Sequence, residues 1–242
     1  VGEFWGTKID ENGSIQWRGY FGGTNNDRAH SVVQSNDGGF VMAGFTESDD
    51  YDVSSTNGSY EFWVVKVDAF GNLLWEHSFG GDGIEVAYDI AKTSDDGYVV
   101  VGNTFSNNGD VLVNHGGSDV WMIKIDAEGN LVWEQTYGGS EFDLAQAVVQ
   151  SKDGGFYITG NSTSDDKDSS FNYGENDIWL VKTNSVGELV WEKSYGGSGL
   201  DFAYDLIENE DGSVMVVGET ASTDFNTLTS KGNTDLVLLK IK

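Results

Sequence analysis

The apolar positions of this chain recur with a single period. The run DVWMIKIDAEGNLVWEQTYGG at residues 119–139 occurs four times with small changes, and its two tryptophans fall at Trp5 and Trp17, Trp63 and Trp75, Trp121 and Trp133, and Trp179 and Trp191. Each column steps by 58 residues, without an insertion or deletion. A fifth, partial copy, DLVLLKIK at residues 235–242, places Val237 in the first tryptophan position. A strict period of this size marks repeat units that bury their apolar faces only against their neighbours.

Within a unit the pattern predicts four short strands. In the second unit, FWVVKVD (62–68) and LLWEHSF (73–79) flank the turn AFGN. After Gly80-Gly81, AYDIAKT (87–93) and YVVVGNT (98–104) flank the turn SDDG, and a polar loop over 105–119 leads to the next copy. Aromatic and β-branched runs bounded by Gly, Asn and Asp are strand and hairpin signals. Runs such as YVVVG are apolar at consecutive positions, as expected when both sheet faces are covered. No stretch has a helical period. The expected fold is all-β, a β-propeller built from 58-residue four-stranded blades. The repeats are 4–61, 62–119, 120–177, 178–235 and a partial 236–242, in one domain spanning 1–242. That gives about four blades, alone or within a larger ring. In blade order, with A innermost, strands A to D are of the AYDIAKT, YVVVGNT, VWMIKID and LVWEQTY types.

Physical roles follow for the repeated columns. The tryptophans of strands C and D are suited to filling the space between adjacent blades. The lysines at the end of strand C (Lys8, Lys66, Lys124, Lys182, Lys240) are expected to lay their stems on apolar surface and their heads in water. Gly44, Gly102, Gly160 and Gly218 inside strand B suggest a bulge or a close backbone approach. At the ends, residues 4–10 and 236–242 are both C-type and residues 14–21 are D-type. Residues 14–21 could close a four-bladed ring, which leaves 4–10 without a vacancy. Alternatively the N-terminal pair is the outer half of a blade begun upstream. The sequence does not choose between them.

Composition narrows the function. With 40 acidic and 13 basic residues the formal net charge is −27, which repels nucleic acid and anionic membranes and excludes both as expected partners. It suits a secreted, cell-surface or salt-exposed protein, or one that collects divalent cations. The absence of cysteine excludes disulfides, thiolate metal sites and a cysteine nucleophile. No apolar run approaches the roughly 20 residues a membrane helix needs, so a soluble protein is expected. Val1 opens directly in repeat sequence with no signal peptide visible, leaving room for a leader or further repeats before it.

The last unit, YGGSGLDFAYDLIENEDGSVMVVGETASTDFNTLTSKGNTDLVLLKIK, resembles the β-propeller repeat called SBBP. It shares the GG–D–A opening, the DG hairpin, the VxGxT strand, the STDF loop and the closing D-x-V-x-K strand. The DGG(F/Y) hairpins and paired tryptophans look closer still to repeats of secreted Bacteroidetes proteins that carry C-terminal sorting domains. The resemblance covers nearly the whole chain and implies a propeller at the cell surface or outside it, without implying an activity. Two features depart from it. The loop at Thr223-Asp224-Phe225-Asn226 lacks the family's usual proline, and no sorting domain follows Lys242 in this sequence. A weaker likeness, D-x-x-G-x-x-x-W at residues 126–133, is to quinoprotein propellers. It is architectural, with nothing that resembles a quinone centre.

Three acidic columns are candidates for chemistry. The hairpin acids Asp37, Asp95, Asp153 and Asp211 read either as calcium-loop or Asp-box relatives or as plain turn formers, since Asp-Gly suits a tight hairpin. The acids placed just before strand A (Asp27, Glu85, Asp143, Asp201) would stand at the mouth of a central channel and form a binding face, or cap the linker backbone after Gly-Gly. The B–C loop acids Asp49, Asp50, Asp52, Asp110, Asp165, Asp166, Asp168 and Asp224, with Asn107, Asn108 and Asn226, put oxygens at alternate positions, as calcium prefers, or are solvated charge. Strand direction places the second and third groups on one face, which also carries the long loops, where binding usually resides.

Enzymatic signatures are sparse. His30, His77 and His115 occupy unrelated repeat positions, and no nucleophile elbow, H-E-x-x-H or P-loop occurs. Sequons at Asn12, Asn57 and Asn161 are weak signals in an Asn- and Ser-rich chain. The expected function is an extracellular, non-catalytic binding or structural module. Its partner is a protein or glycan met on the long-loop face, with calcium as an assisting ion and no other cofactor. Two alternatives stand beside it. One is a propeller hydrolase drawing an acid pair from Asp143, Asp201 and neighbouring loop acids. The other is a subunit of an extracellular assembly that pairs through residues 4–10.

Overall fold

The computed structural model describes residues 2–225 and 232–242. It is all-β, with no α-helix among the described residues. Five antiparallel sheets follow one another along the chain. The first is a pair, β1 (Phe4–Ile9) and β2 (Ile15–Phe21). Three complete four-stranded blades follow. Blade one is β3 (Asp27–Gln34), β4 (Phe40–Thr46), β5 (Glu61–Val67) and β6 (Leu73–Phe79). Blade two is β7 (Glu85–Lys92), β8 (Tyr98–Thr104), β9 (Asp119–Ile125) and β10 (Leu131–Tyr137). Blade three is β11 (Asp143–Gln150), β12 (Phe156–Ser162), β13 (Asp177–Thr183) and β14 (Leu189–Tyr195). The last sheet has three strands, β15 (Asp201–Glu208), β16 (Val214–Thr220) and β17 (Asp235–Ile241).

Each complete sheet is a simple meander, A to D, as the hairpin signals require. Strands B and D match the expected bounds. Strand A starts two residues earlier than its apolar run, because the leading acid joins the ladder: Asp27 pairs Thr46, Glu85 pairs Thr104, Asp143 pairs Ser162 and Asp201 pairs Thr220. Those acids therefore open strand A rather than precede it.

The strand-B glycines meet both expectations stated for them. A Cβ on Gly44, Gly102 or Gly160 would lie 1.8–1.9 Å from the carbonyl oxygen of Arg28, Val86 or Leu144. The approach is that close because strand A bulges opposite each glycine. The register slips between Ala29 and Ser31, Ala87 and Asp89, Ala145 and Ala147, and Ala203 and Asp205, so His30, Tyr88, Gln146 and Tyr204 are the extra residues.

Blades stack face to face. β7 lies across β3, β4 and β5, β11 across β7, β8 and β9, and β15 across β11, β12 and β13. The strand-C tryptophans fill these interfaces: Trp63 meets Phe4 at 4.5 Å between ring centroids, and Trp121 meets Phe62 at 4.6 Å. Trp63, Trp121 and Trp179 are fully buried, each covering about 150–250 Å², worth on the order of 4 kcal/mol as an upper bound. The strand-D tryptophans dock on the next C–D hairpin. Trp17 Nε1 donates to Ala69 O at 3.0 Å, and Gly71, at φ 84°, leaves the Trp17 ring its space.

The lysine column is corrected in one respect. The stems of Lys66, Lys124 and Lys182 are covered and that of Lys240 is half exposed, yet in each blade with an A–B hairpin the head is tied to that hairpin's acid: Lys66–Asp37 at 2.9 Å, Lys124–Asp95 at 3.1 Å, Lys182–Asp153 at 2.8 Å and Lys240–Asp211 at 3.1 Å. Strand C lies beside strand B, so its last lysine ends against the hairpin that begins B. Among the described residues the sheets do not close into a ring.

Candidate functional site

The face that carries the B–C loops and the D–A linkers is built from carboxylates that bind their own loops. At each linker a Gly-Gly pair turns the chain into strand A, and the second glycine donates its N–H to the acid that opens the strand. Gly23 N reaches Asp27 Oδ2 at 2.8 Å, Gly81 N reaches Glu85 Oε2 at 2.9 Å, Gly139 N reaches Asp143 Oδ2 at 2.7 Å and Gly197 N reaches Asp201 Oδ2 at 2.8 Å. Hydroxyls complete the shell: Thr46 Oγ1 and Ser48 Oγ on Asp27, Thr104 Oγ1 on Glu85, Ser162 and Ser164 Oγ on Asp143, and Ser222 Oγ on Asp201. All four acids are fully buried. A glycine is required beside each because a Cβ at Gly139 or Gly23 would strike the Asp166 or Asp50 carboxylate.

The loop acids act on the same linkers from the other side. Asp50 Oδ1 accepts Thr24 N at 2.8 Å, Asp166 Oδ1 accepts Ser140 N at 2.7 Å and Asp224 Oδ1 accepts Ser198 N at 2.7 Å, with Asn108 taking the same role toward Asp82 N at 2.9 Å. The Ser198 N–H accordingly holds the Asp224 carboxyl below its usual range. Asp52 and Asp110 accept Gly22 N and Gly80 N, and the backbone N–H of Asp52, Asp110 and Asp168 donates back to Gly22, Gly80 and Gly138. The strand-A and B–C loop acids are thus brought together, as strand direction implied. Asp49 and Asp165 are exposed at the loop tips. Asn226 lies outside the described residues. The hairpin acids Asp37, Asp95, Asp153 and Asp211 lie on their own hairpins, where Asp37 and Asp153 accept the N–H of Gly39 and Gly155.

A fourth acidic column lies on this face. Glu61, Asp119 and Asp177 open strand C, are fully buried, and accept backbone N–H groups of the loop before them: Asn57 and Gly58 on Glu61, His115 on Asp119, Tyr173 on Asp177. Each faces the strand-A acid across the first linker glycine. A Cβ on Gly138 would meet Asp119 Oδ1 and Asp143 Oδ2, and one on Gly196 would meet Asp177 Oδ1 and Asp201 Oδ2. Burial, with opposition from the loop N–H and help from the neighbouring acid, pushes Asp119 and Asp177 up to about 6. Burial likewise raises Asp143 and Glu61. One oxygen of each of Glu61, Asp119 and Asp177 has no hydrogen-bond partner among the described residues. The signal was present in the sequence, since the three fall 58 residues apart.

The loop oxygens read as calcium donors in the sequence have backbone partners in part. The carboxylates of Asp50, Asp52, Asp110, Asp166 and Asp224 accept backbone N–H groups, and among the described residues no three His, Cys, Asp or Glu side chains gather in one group. Beside its exposed acids this face also presents apolar side chains. Tyr51 is 84% and Leu112 75% exposed, with Phe105, Val113, Phe171 and Tyr173 also standing out from the loops. Phe171 and Tyr173 pack edge to face at 4.6 Å. Only Val113 and Phe171 share a repeat position, so the period does not mark these residues as a group. No helix among the described residues is long and apolar enough to cross a membrane.

Comparison with known proteins supports the repeat character and little more. No family model matches the chain. It is 21% identical over 269 aligned positions to an uncharacterized WD repeat-containing protein, L264, of Acanthamoeba polyphaga mimivirus, covering 87% of this chain and 19% of that protein. It is 25% identical over 177 positions to the regulatory protein FlaEY of Caulobacter vibrioides, covering 66% of this chain and 18% of that protein. The chain thus spans about a fifth of the length of the curated relatives it matches. Among solved structures, a xylan beta-1,4-xylosidase from Bacillus halodurans aligns at 15% identity and a TM-score of 0.43, over 86% of this chain and 40% of that one, a likeness too low to carry an argument. An all-β array of antiparallel, propeller-like four-stranded sheets is where sequence, structure and relatives agree.

Proposed function

We propose that this chain is a β-propeller-type repeat module, secreted or at the cell surface, that binds a protein or glycan on its long-loop face without catalysis. One observation carries this reading: the loops are held rigid by their own carboxylates while aromatic and aliphatic side chains project from them. Stiff loops that present aromatics beside acids bind at low ordering cost, and aromatic anchors dominate interface energetics. The exposed acids Asp49, Asp82, Glu141 and Asp165 favour a partner with basic groups around an apolar centre. Asp143 and Asp201, two of the acids from which the hydrolase alternative would draw its pair, are buried.

The test is a glycan array and a surface-peptide library probed with the protein and with a Tyr51→Ser, Leu112→Ser, Phe171→Ser variant, with bound sugars analysed for cleavage. Ligand retained by the native chain and lost by the variant supports the reading. Equal retention by both overturns the loop face as the site, and release of cleaved sugar overturns the non-catalytic role.

A further inference from the structure

The linkers from strand D to strand A carry an apolar column of their own. Ile84, Phe142 and Leu200 fall 58 residues apart, each one place before the acid that opens strand A, and each is 37–40% exposed. The linker backbone fixes them there. They bridge to Tyr60, Ser118 and Asn176 ahead of strand C, while the buried carboxyls of Glu85, Asp143 and Asp201 hold the glycine turn before them. Neighbours in an extended chain point to opposite sides, so the acid that turns into the fold sends its apolar neighbour outward.

Between blades two and three this column becomes a continuous patch. Phe105, the first residue after β8, donates its N–H to Ile84 O at 3.0 Å, and its ring lies 6.1 Å from that of Phe142 in the next linker. Phe105 is 46% exposed, so three apolar side chains from two linkers and a loop stand side by side at the surface. Exposed acids flank them: Asp82 two places before Ile84, and Glu141 next to Phe142.

The distribution of charge indicates what covers the patch. The lysines gather on the opposite face. Lys66, Lys124, Lys182 and Lys240 are tied to A–B hairpin acids, and on the same face Lys92 donates to Asn36 and Lys152 to Asn209. The D–A linkers at 22–26, 80–84, 138–142 and 196–200 contain no lysine or arginine. Among the described residues Lys167 is the one lysine in a B–C loop, and it donates to His115 O. Neither Asp82 nor Glu141 pairs with a lysine or arginine among the described residues. An apolar patch rimmed by such carboxylates complements a chain whose cations flank an apolar side chain. Lysine and arginine stems also lie well on ring faces with their heads toward acids, whereas a neutral sugar leaves the carboxylates unmatched.

We propose that the patch of Ile84, Phe105 and Phe142 docks a basic polypeptide segment, with an aliphatic or aromatic side chain between lysines or arginines and Asp82 and Glu141 meeting the cations. The inference rests on the long-loop face being the binding face and names the partner class that this face takes, a polypeptide and not a glycan. The acidic face steers the segment in, and the apolar contact is the part that persists in salt.

The test is fluorescence anisotropy with a labelled library of peptides that hold one leucine between pairs of lysine or arginine. The same library with serine for leucine, and a panel of neutral oligosaccharides, are measured beside it. The native chain is expected to bind leucine peptides at least about tenfold more tightly than their serine counterparts, and Ile84→Ser, Phe142→Ser to lose that preference. Asp82→Lys, Glu141→Lys is expected to weaken binding at least about tenfold. Glu128→Lys, Glu210→Lys, the same charge change at exposed hairpin positions on the other face, should leave it within about twofold. Melting curves of all variants check that the fold is kept, and the single changes Phe142→Ser and Glu141→Lys replace any pair that loses it. Equal binding of leucine and serine peptides, or equal loss in both charge variants, overturns the inference, because net charge alone would then explain the attraction. An oligosaccharide bound at the loops in place of peptide overturns the inference and leaves the loop-face reading standing. Retention of neither overturns both.

Discussion

The indole Nε1 of Trp63 donates to Glu76 Oε2 at 2.7 Å, from strand C to strand D of one blade. The pair recurs as Trp121–Glu134 at 2.9 Å and Trp179–Glu192 at 2.8 Å. It lets a tryptophan lie wholly between blades with its one polar atom satisfied. In the first unit the acid is replaced by Arg18, which lies over the Trp5 ring at 5.3 Å, and there the tryptophan is exposed.

Truncating an interior tryptophan therefore combines a cavity with a lost anchor. Trp121→Ala is expected to destabilise by about 3–5 kcal/mol, and Glu134→Ala, which strands the indole N–H, by about 1–3 kcal/mol. Urea unfolding followed by fluorescence measures both. Trp5→Ala, at the open end, should cost far less.

Gly160 pairs with the bulged strand A of its own blade, and a Cβ there would lie 1.9 Å from Leu144 O. Backbone cannot yield as a side chain tip can, so Gly160→Ala is expected to cost about 1–3 kcal/mol or more. Gly154, at φ 88° with the Ser185 Cβ at an ordinary contact distance of 3.8 Å from a Cβ added there, should instead tolerate Asn. Thermal melting of the two variants separates close approach from turn conformation.

The period made the strands and the glycine approach legible, because each column repeats one physical demand. It could not show what lies across the interface. The lysine heads were expected in water because a sequence does not reveal that strand C ends beside the A–B hairpin. The second buried acid of each linker, Asp119 or Asp177, was visible as a column, but its meaning depends on facing Asp143 or Asp201 across a glycine. The loop aromatics fall outside the register, and only coordinates separate exposed from packed rings in a polar loop.

Buried acids fix the sign of a pH dependence. Asp119 and Asp177 are raised to about 6, so the folded state holds protons that the unfolded chain releases near pH 4. Their contribution to stability is fully present below the unfolded value and is lost as pH rises through about 6. The melting temperature is expected to be higher at pH 5 than at pH 7.5. Asp177→Asn, which keeps the hydrogen-bonding shape without the charge, should flatten that slope. At lower pH the trend reverses, as Asp37 and Asp211, held low by Ser35 and Ser213 and then by their lysines, take up protons.

Asp143 gathers Gly139 N–H and the hydroxyls of Ser162 and Ser164 on one buried carboxyl. Asp143→Ala is expected to cost about 2–4 kcal/mol through three unmet donors. It should also lower the titration point of Asp119, which the Asp143 charge helps to raise. Proton exchange at Gly139 would report the freed linker locally.

The most direct test of whether the loop carboxylates serve their own backbone is calcium titration calorimetry on chelator-stripped protein, with a melting curve beside it. Carboxylates spent on loop N–H groups predict no stoichiometric heat and no shift in melting temperature. Micromolar binding near one ion per repeat, with a raised melting temperature, would contradict this and make the acidic loops ligand sites.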